Sequence, residues 1–201
     1  MGALIHLGVL ANSTKEHDVI FQKIRAIADL QPKLDIRIIT ISLPVMPDDK
    51  VAEFFKFYLK KDFLNKEKIK VSIIGKWYEL SSEAIDEVRK VIDETKDYDK
   101  YFLNFTINYD GQMELVDACK LICRQASAGK LNLEKISKST IKDNLYSSTF
   151  VPPQIIICTG EEKKLNGFLL WDSVSAKIIM TGKDFSELRT NDIISILNEF
   201  F

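Results

Sequence analysis

The residues best suited to chemistry in this 201-residue chain stand after an apolar run in its last quarter. Ile155-Ile156-Ile157-Cys158 leads into Thr159-Gly160, then the polar stretch Glu161-Glu162-Lys163-Lys164-Leu165-Asn166, then Phe168-Leu169-Leu170-Trp171-Asp172-Ser173. A loop leaving a parallel strand presents backbone N–H groups, so Thr159, Gly160 and Asn166 with the Lys164 ammonium form a candidate anion site. A second strand-to-helix junction carries Ala11-Asn12-Ser13-Thr14. Asn12 and Ser13 read either as plain caps of a helix over about 15–30 or as the far wall of the same site. Lysine grips an anion's oxygens as a point charge, without arginine's bidentate fork, so an anion here is expected to bind weakly.

Cys119 and Cys123 are four apart in a helical stretch and share one helix face. Only His6 and His17 are available to complete a metal site, which favours small buried thiols over a metal pair. A net charge of −1 excludes the basic field that nucleic-acid binding needs. No apolar run approaches the roughly 20 residues of a membrane span, and the N-terminus lacks the pattern of a cleaved signal. A cytoplasmic protein is expected, with peripheral membrane association left open.

These residues must be held by a scaffold, and hydrophobic patterning supplies one. Strand-like runs at 4–10, 36–43, 70–74, 102–107, 154–157 and 177–180 alternate with helical stretches at 15–30, 50–64, 81–96, 113–129, 134–145 and 185–201. Alternation of this kind predicts an α/β fold, a mostly parallel six-stranded sheet flanked by helices, in a single domain over 1–201. In the 50–64 stretch Val51, Phe54, Phe55, Tyr58, Leu59 and Phe63 recur at helical spacing. They suit either ordinary core or the wall of an apolar tunnel.

The order and spacing of three segments resemble the cis-prenyltransferase (undecaprenyl diphosphate synthase) family. They are the strand ending in Ile73-Ile74-Gly75, the stretch Asn108-Tyr109-Asp110-Gly111-Gln112 with its following helix, and Val151-Pro152-Pro153-Gln154 through Thr159-Gly160 to Phe168-Leu169-Leu170-Trp171. The resemblance implies the condensation of isopentenyl diphosphate with an allylic diphosphate, assisted by Mg²⁺. The family's functional positions are substituted here. Its metal-holding Asp falls on Ala11 or Asn12, two Arg on Cys158 and Lys164, a Ser on Asn166, and a metal-binding Glu on Lys177. The sequence ends at Phe201 without the family's Arg-x-Gly tail.

This pattern resembles the non-catalytic Nogo-B-receptor-like subunits of heteromeric cis-prenyltransferases, although those donate the tail. It implies no cofactor for this chain alone, with Mg²⁺ only in an intact catalytic partner. It also implies a dimer, with a catalytic paralogue or with itself, through 113–129 and the segment around 168–180. Met113, Leu115, Val116, Ala118 and Cys119 then serve either that interface or their own sheet. Two alternatives stand beside it. One is a divergent prenyltransferase making short or irregular products, with Lys164 and Lys177 gripping pyrophosphate; the other is a prenyl-diphosphate-binding protein without catalysis.

Overall fold

Runs rich in Ile, Val and Leu form strands when both of their faces are covered, and six such runs build the sheet. The structure, a computed structural model, describes residues 4–59 and 61–200. The strands are β1 (His6–Leu10), β2 (Ile38–Ser42), β3 (Ile69–Ile74), β4 (Tyr101–Thr106), β5 (Ile155–Cys158) and β6 (Lys177–Met180). All neighbours are parallel, in the order β3-β4-β2-β1-β5-β6. The expected α/β fold is therefore present.

Helices α1 (His17–Ala28), α2 (Leu30–Lys33), α3 (Asp48–Glu53), α4 (Lys61–Glu67) and α5 (Ser82–Thr95) separate the first four strands. Helices α6 (Gly111–Ser127) and α7 (Lys138–Lys142) precede β5, and α8 (Thr190–Asn198) follows β6. Two expected helices, over 50–64 and 185–201, include Lys60 and Phe201, which lie outside the described residues. Among the described residues no helix is long and apolar enough to cross a membrane.

The period-2 alternation of strands sorts side chains between two faces. Leu7, Val9, Ile39, Ile41, Leu103, Phe105, Ile155 and Ile157 belong to one large apolar cluster with residues of α1, α3, α5 and α8. Alternate positions Leu10, Ile156 and Cys158 join a smaller cluster with Phe168 and Leu169. On that second face His6, Thr40 and Asn104 are buried polar residues.

The choice between core and tunnel for the phenylalanine stripe falls to core. Beyond α3 the chain makes one π turn, Phe54–Tyr58, which places Phe54 and Phe55 side by side with 1% exposure each. Phe54 meets Phe105 edge-on at 5.3 Å between centroids and Phe21 at 5.0 Å. Phe55 meets Phe105 at 5.7 Å and 90°. Edge-to-face contacts of this kind fill the space with ring atoms.

Candidate functional site

In an open parallel sheet the crevice for a ligand lies beyond the carboxyl ends of two neighbouring strands whose connections depart in opposite directions. Here those strands are β1 and β5, because β1 also borders β2 while β5 also borders β6. A cleft of about 630 Å³ opens at that point, lined by Ala11, Asn12, Ser13, Gly160 and Asn166 among others. The two junctions singled out in the sequence thus come together.

Their polar groups, however, are turned on one another. Asn12 donates its backbone N–H to Thr159 Oγ1 at 2.9 Å and its side-chain Nδ2 to the Thr159 carbonyl at 2.9 Å. Thr159 N–H donates to the Leu10 carbonyl and Gly160 N–H to the Lys183 carbonyl, at 3.2 and 2.6 Å. Ser13 Oγ donates to Asp184 Oδ1 at 2.7 Å, and Thr14 N–H to Asp184 Oδ2 at 3.1 Å. Donors that would cradle a phosphate are therefore engaged within the chain. Neither Asn12 nor Ser13 caps α1: the capping position is Glu16, which makes no side-chain cap bond. Gly160 is required where it stands, since its φ is +96° and a Cβ there would lie 2.9 Å from Asn12 Cβ.

The electrostatics run the same way. Glu161, Glu162, Asp184 and Glu187 line the cleft, with Lys15 the single basic residue among the described ones there. Burial, the largest influence on Asp184, pushes its carboxyl up, but donors from Ser186, Ser13 and Thr14 outweigh it and hold it at about 2. An ionised carboxylate fixed in the wall repels a diphosphate. Lys164 does not line the cleft; its ammonium pairs with Glu162 Oε2 at 3.3 Å, with both side chains about two-thirds exposed or more. Asp184 and Glu187 were not singled out in the sequence; nothing local marks an Asp184 that accepts from Ser13 across 171 positions.

The substituted family positions scatter. Ala11 is buried at the cleft floor and offers no charge. Cys158 is 1% exposed, and burial pushes its thiol up to about 11. Lys177 pairs in register with Ile155, at the opposite end of the sheet from Thr159 and Gly160, and its ammonium lies 5.5 Å from the Phe200 ring centroid. Lys164 and Lys177 are thus not brought together around one anion. Among the described residues no group of three or more His, Cys, Asp or Glu is placed to hold a metal ion.

Behind the cleft a buried polar network ties the segment before β5 to the second face of the sheet. His6 Nδ1 contacts the Val151 carbonyl at 2.6 Å and Nε2 contacts Thr40 Oγ1 at 2.8 Å, while Asn104 Nδ2 donates to the same Thr40 oxygen. Burial lowers His6 to about 4. A neutral imidazole with its proton on Nδ1 satisfies all three contacts. Further along, Lys142 Nζ donates to Asp172 Oδ2 at 2.6 Å and Ser147 Oγ to the same oxygen at 2.7 Å. Glu114, raised by burial, accepts from Tyr109 OH at 2.6 Å and from Ser147 N–H. Asp172 is therefore a structural ion pair rather than a wall of the cleft.

Helix α6 begins where the Asp110 carboxylate accepts from the N–H groups of Gln112 and Met113. Gly111 has no room for a side chain, as a Cβ would lie 2.2 Å from the Gly167 carbonyl oxygen, so the helix start seats directly on the 166–170 turn. Gly111, Glu114, Ala118 and Ile122 are its buried residues. Met113 and Val116 are 38% and 44% exposed, and Cys119 and Cys123 are exposed as well. The expectation of buried thiols fails because α6 rests on the domain through the narrow stripe of Gly111, Glu114, Ala118 and Ile122, which leaves the Cys119 and Cys123 face outside.

Comparison with known proteins accounts for the fold. The sequence model of the undecaprenyl diphosphate synthase family matches residues 10–201. The chain is 28% identical over 191 residues to the geranylgeranyl-diphosphate-specific tritrans,polycis-undecaprenyl-diphosphate synthase of Thermoplasma volcanium, covering 89% of this chain and 74% of that one. It is 29% identical over 148 residues to the isoprenyl transferase of Bacillus subtilis, covering 74% and 56% respectively. The lavandulyl diphosphate synthase of Lavandula x intermedia superposes with a TM-score of 0.91 at 16% identity, over 98% of this chain and 95% of that one. A probable undecaprenyl diphosphate synthase from Campylobacter jejuni gives 0.75 at 21% identity, over 100% and 96%.

Proposed function

We propose that this chain, which belongs to the undecaprenyl diphosphate synthase family of prenyltransferases, is a non-catalytic cytoplasmic subunit of a heteromeric cis-prenyltransferase. Its relatives' names support synthesis of polyprenyl diphosphates as the chemistry it serves. The observation that carries the subunit reading is the cleft. Where two diphosphates would have to sit, four carboxylates line the wall and the Asn12, Thr14, Thr159 and Gly160 amides are engaged internally.

Prenyl transfer needs a leaving diphosphate whose growing negative charge is stabilised in the transition state. Removing one such stabilising contact costs on the order of 3 kcal/mol, a hundredfold or more in rate. An acidic wall adds repulsion to that loss. The chain's contribution is then structural: it holds an intact paralogue, which carries the Mg²⁺ and the substrates, through the exposed face of α6 and the segment around 168–180. Such a role needs the fold and the docking face, and leaves the cleft free to diverge.

The test is reconstitution. Labelled isopentenyl diphosphate, an allylic primer and Mg²⁺ are supplied to the intact paralogue with and without this chain. Incorporation by the pair well above that of the paralogue alone supports the reading. Metal-dependent incorporation by this chain alone would replace it with the divergent-enzyme reading.

A further inference from the structure

Charge is spread unevenly along this chain. Residues 124–143 hold five basic and two acidic residues, whereas the whole chain sums to −1. Lys142 is turned inward onto Asp172. Lys130, Lys135 and Lys138 are exposed, and none of the three has an ion-pair partner among the described residues. Of the two acids, Glu134 stands among these lysines and Asp143 follows α7, where Arg124 on the last turn of α6 offsets it. The exposed stretch therefore stays net positive on an otherwise acidic molecule.

The turn that carries the lysines is closed by its own hydrogen bonds. Gly129, at φ +70°, ends α6, and Lys130 N–H donates to the Gln125 carbonyl at 2.9 Å. Asn132 Oδ1 accepts from Glu134 N–H at 2.9 Å, Ile136 N–H donates to the Leu133 carbonyl at 3.2 Å, and Ser137 caps α7. Gln125 Nε2 donates to Asn144 Oδ1 at 2.8 Å and ties the two helices together behind the turn. Leu133–Lys135 is one turn of 3₁₀ helix, in which side chains three apart fall on one side. That spacing places Leu133 and Ile136 together, 66% and 41% exposed, in a run over 132–139 that is exposed throughout.

Two aliphatic tips on a projecting turn, bordered by unpaired lysines, have the chemistry of a membrane-surface contact: the apolar tips enter the boundary of headgroups and acyl chains while the ammonium groups stay among lipid phosphates. We propose that the 3₁₀ turn at Leu133–Lys135, with Ile136 and the flanking Lys130 and Lys138, docks this chain on a bilayer that contains anionic lipid. Shape and composition select that occupant. A protein would need a pocket to receive tips that stand out from the domain, whereas a headgroup layer yields to them. A nucleic acid would find no aromatic side chain over 124–143 on which to stack a base. The inference is independent of the state of the cleft and of the face given to a paralogue.

The experiment floats the full chain with vesicles of phosphatidylcholine, with and without phosphatidylglycerol. Binding is expected only to the anionic vesicles and should weaken in high salt. Lys130→Gln/Lys135→Gln/Lys138→Gln should lower it by on the order of 100-fold. Leu133→Ser/Ile136→Ser should lower it by on the order of tenfold or more. All five side chains are exposed, so both variants should keep the wild-type urea midpoint. Lys33→Gln/Lys66→Gln/Lys163→Gln removes the same charge from other exposed positions and should change binding little. Leu133→Trp, compared with the parent, should show a blue-shifted emission on anionic vesicles alone. Absence of binding to anionic vesicles, equal binding to neutral ones, or equal losses in the two lysine triples would each overturn the proposal. So would capture of polyglutamate or an oligonucleotide through the same three lysines without capture of vesicles. None of these outcomes depends on prenyl transfer, so the reconstitution assay succeeds or fails independently.

Discussion

Restoring the arginine that the family resemblance places at position 158 should damage the fold and leave the cleft as it is. Cys158 is 1% exposed in a cluster with Leu10, Ile156, Phe168 and Leu169, none of which can pair with a guanidinium. Cys158→Arg asks that cluster to take several extra heavy atoms, which costs about 1–3 kcal/mol by overpacking. It also buries an unpaired charge, which costs about 3–5 kcal/mol more unless the side chain forces its way to water. A total on the order of 4–8 kcal/mol is comparable with the whole stability of a typical domain, about 5–15 kcal/mol. With a urea slope of about 1–3 kcal/mol per M, the midpoint should fall by at least about 1.3 M, or folding should fail. Cys158→Val, which adds about one methyl and no charge, should shift the midpoint far less and serves as the control. If Cys158→Arg folded within about 1 kcal/mol of the parent and bound inorganic pyrophosphate more tightly, position 158 would belong to the cleft, and this reasoning would be refuted.

Two further outcomes follow from the same geometry. Reversing the wall charge with Glu161→Lys/Glu162→Lys should tighten pyrophosphate binding by roughly 5–30-fold, about 1–2 kcal/mol for exposed charges, with the gain disappearing in high salt; unchanged affinity at low salt would mean that the anion sits elsewhere. His6 titrates near 4 in the fold against 6.5 when free, so the unfolded chain binds its proton first as pH falls. Stability should therefore drop by about 3 kcal/mol between pH 6.5 and 4 on this account, and His6→Gln should flatten that part of the urea-midpoint profile.

Much of the scaffold was legible because strands buried on both faces announce themselves as apolar runs. The expected strand over 177–180 coincides with β6, and the 154–157 run is shifted by one residue in β5. Helix boundaries moved where capping overrides periodicity. Asp110 starts α6 at Gly111, and Ser137 with Thr140 forms a capping box that confines α7 to Lys138–Lys142 within the helix expected over 134–145. The site was half legible. Strand-end loops located the crevice, but not what its groups would bond. Asn12 and Ser13 read as local caps because their true partners, Thr159 and Asp184, are long-range. Cys119 and Cys123 read as buried because helical spacing reports a shared face without saying whether that face is covered.

The proposed function requires a cleft that does not hold a metal-assisted diphosphate. Calorimetric titration of the purified chain with isopentenyl diphosphate, with and without Mg²⁺, tests it most directly. With engaged amides, and four acidic residues against Lys15 at the wall, binding should be no tighter than the millimolar range and not strengthened by Mg²⁺. A micromolar site that requires Mg²⁺ would contradict the account.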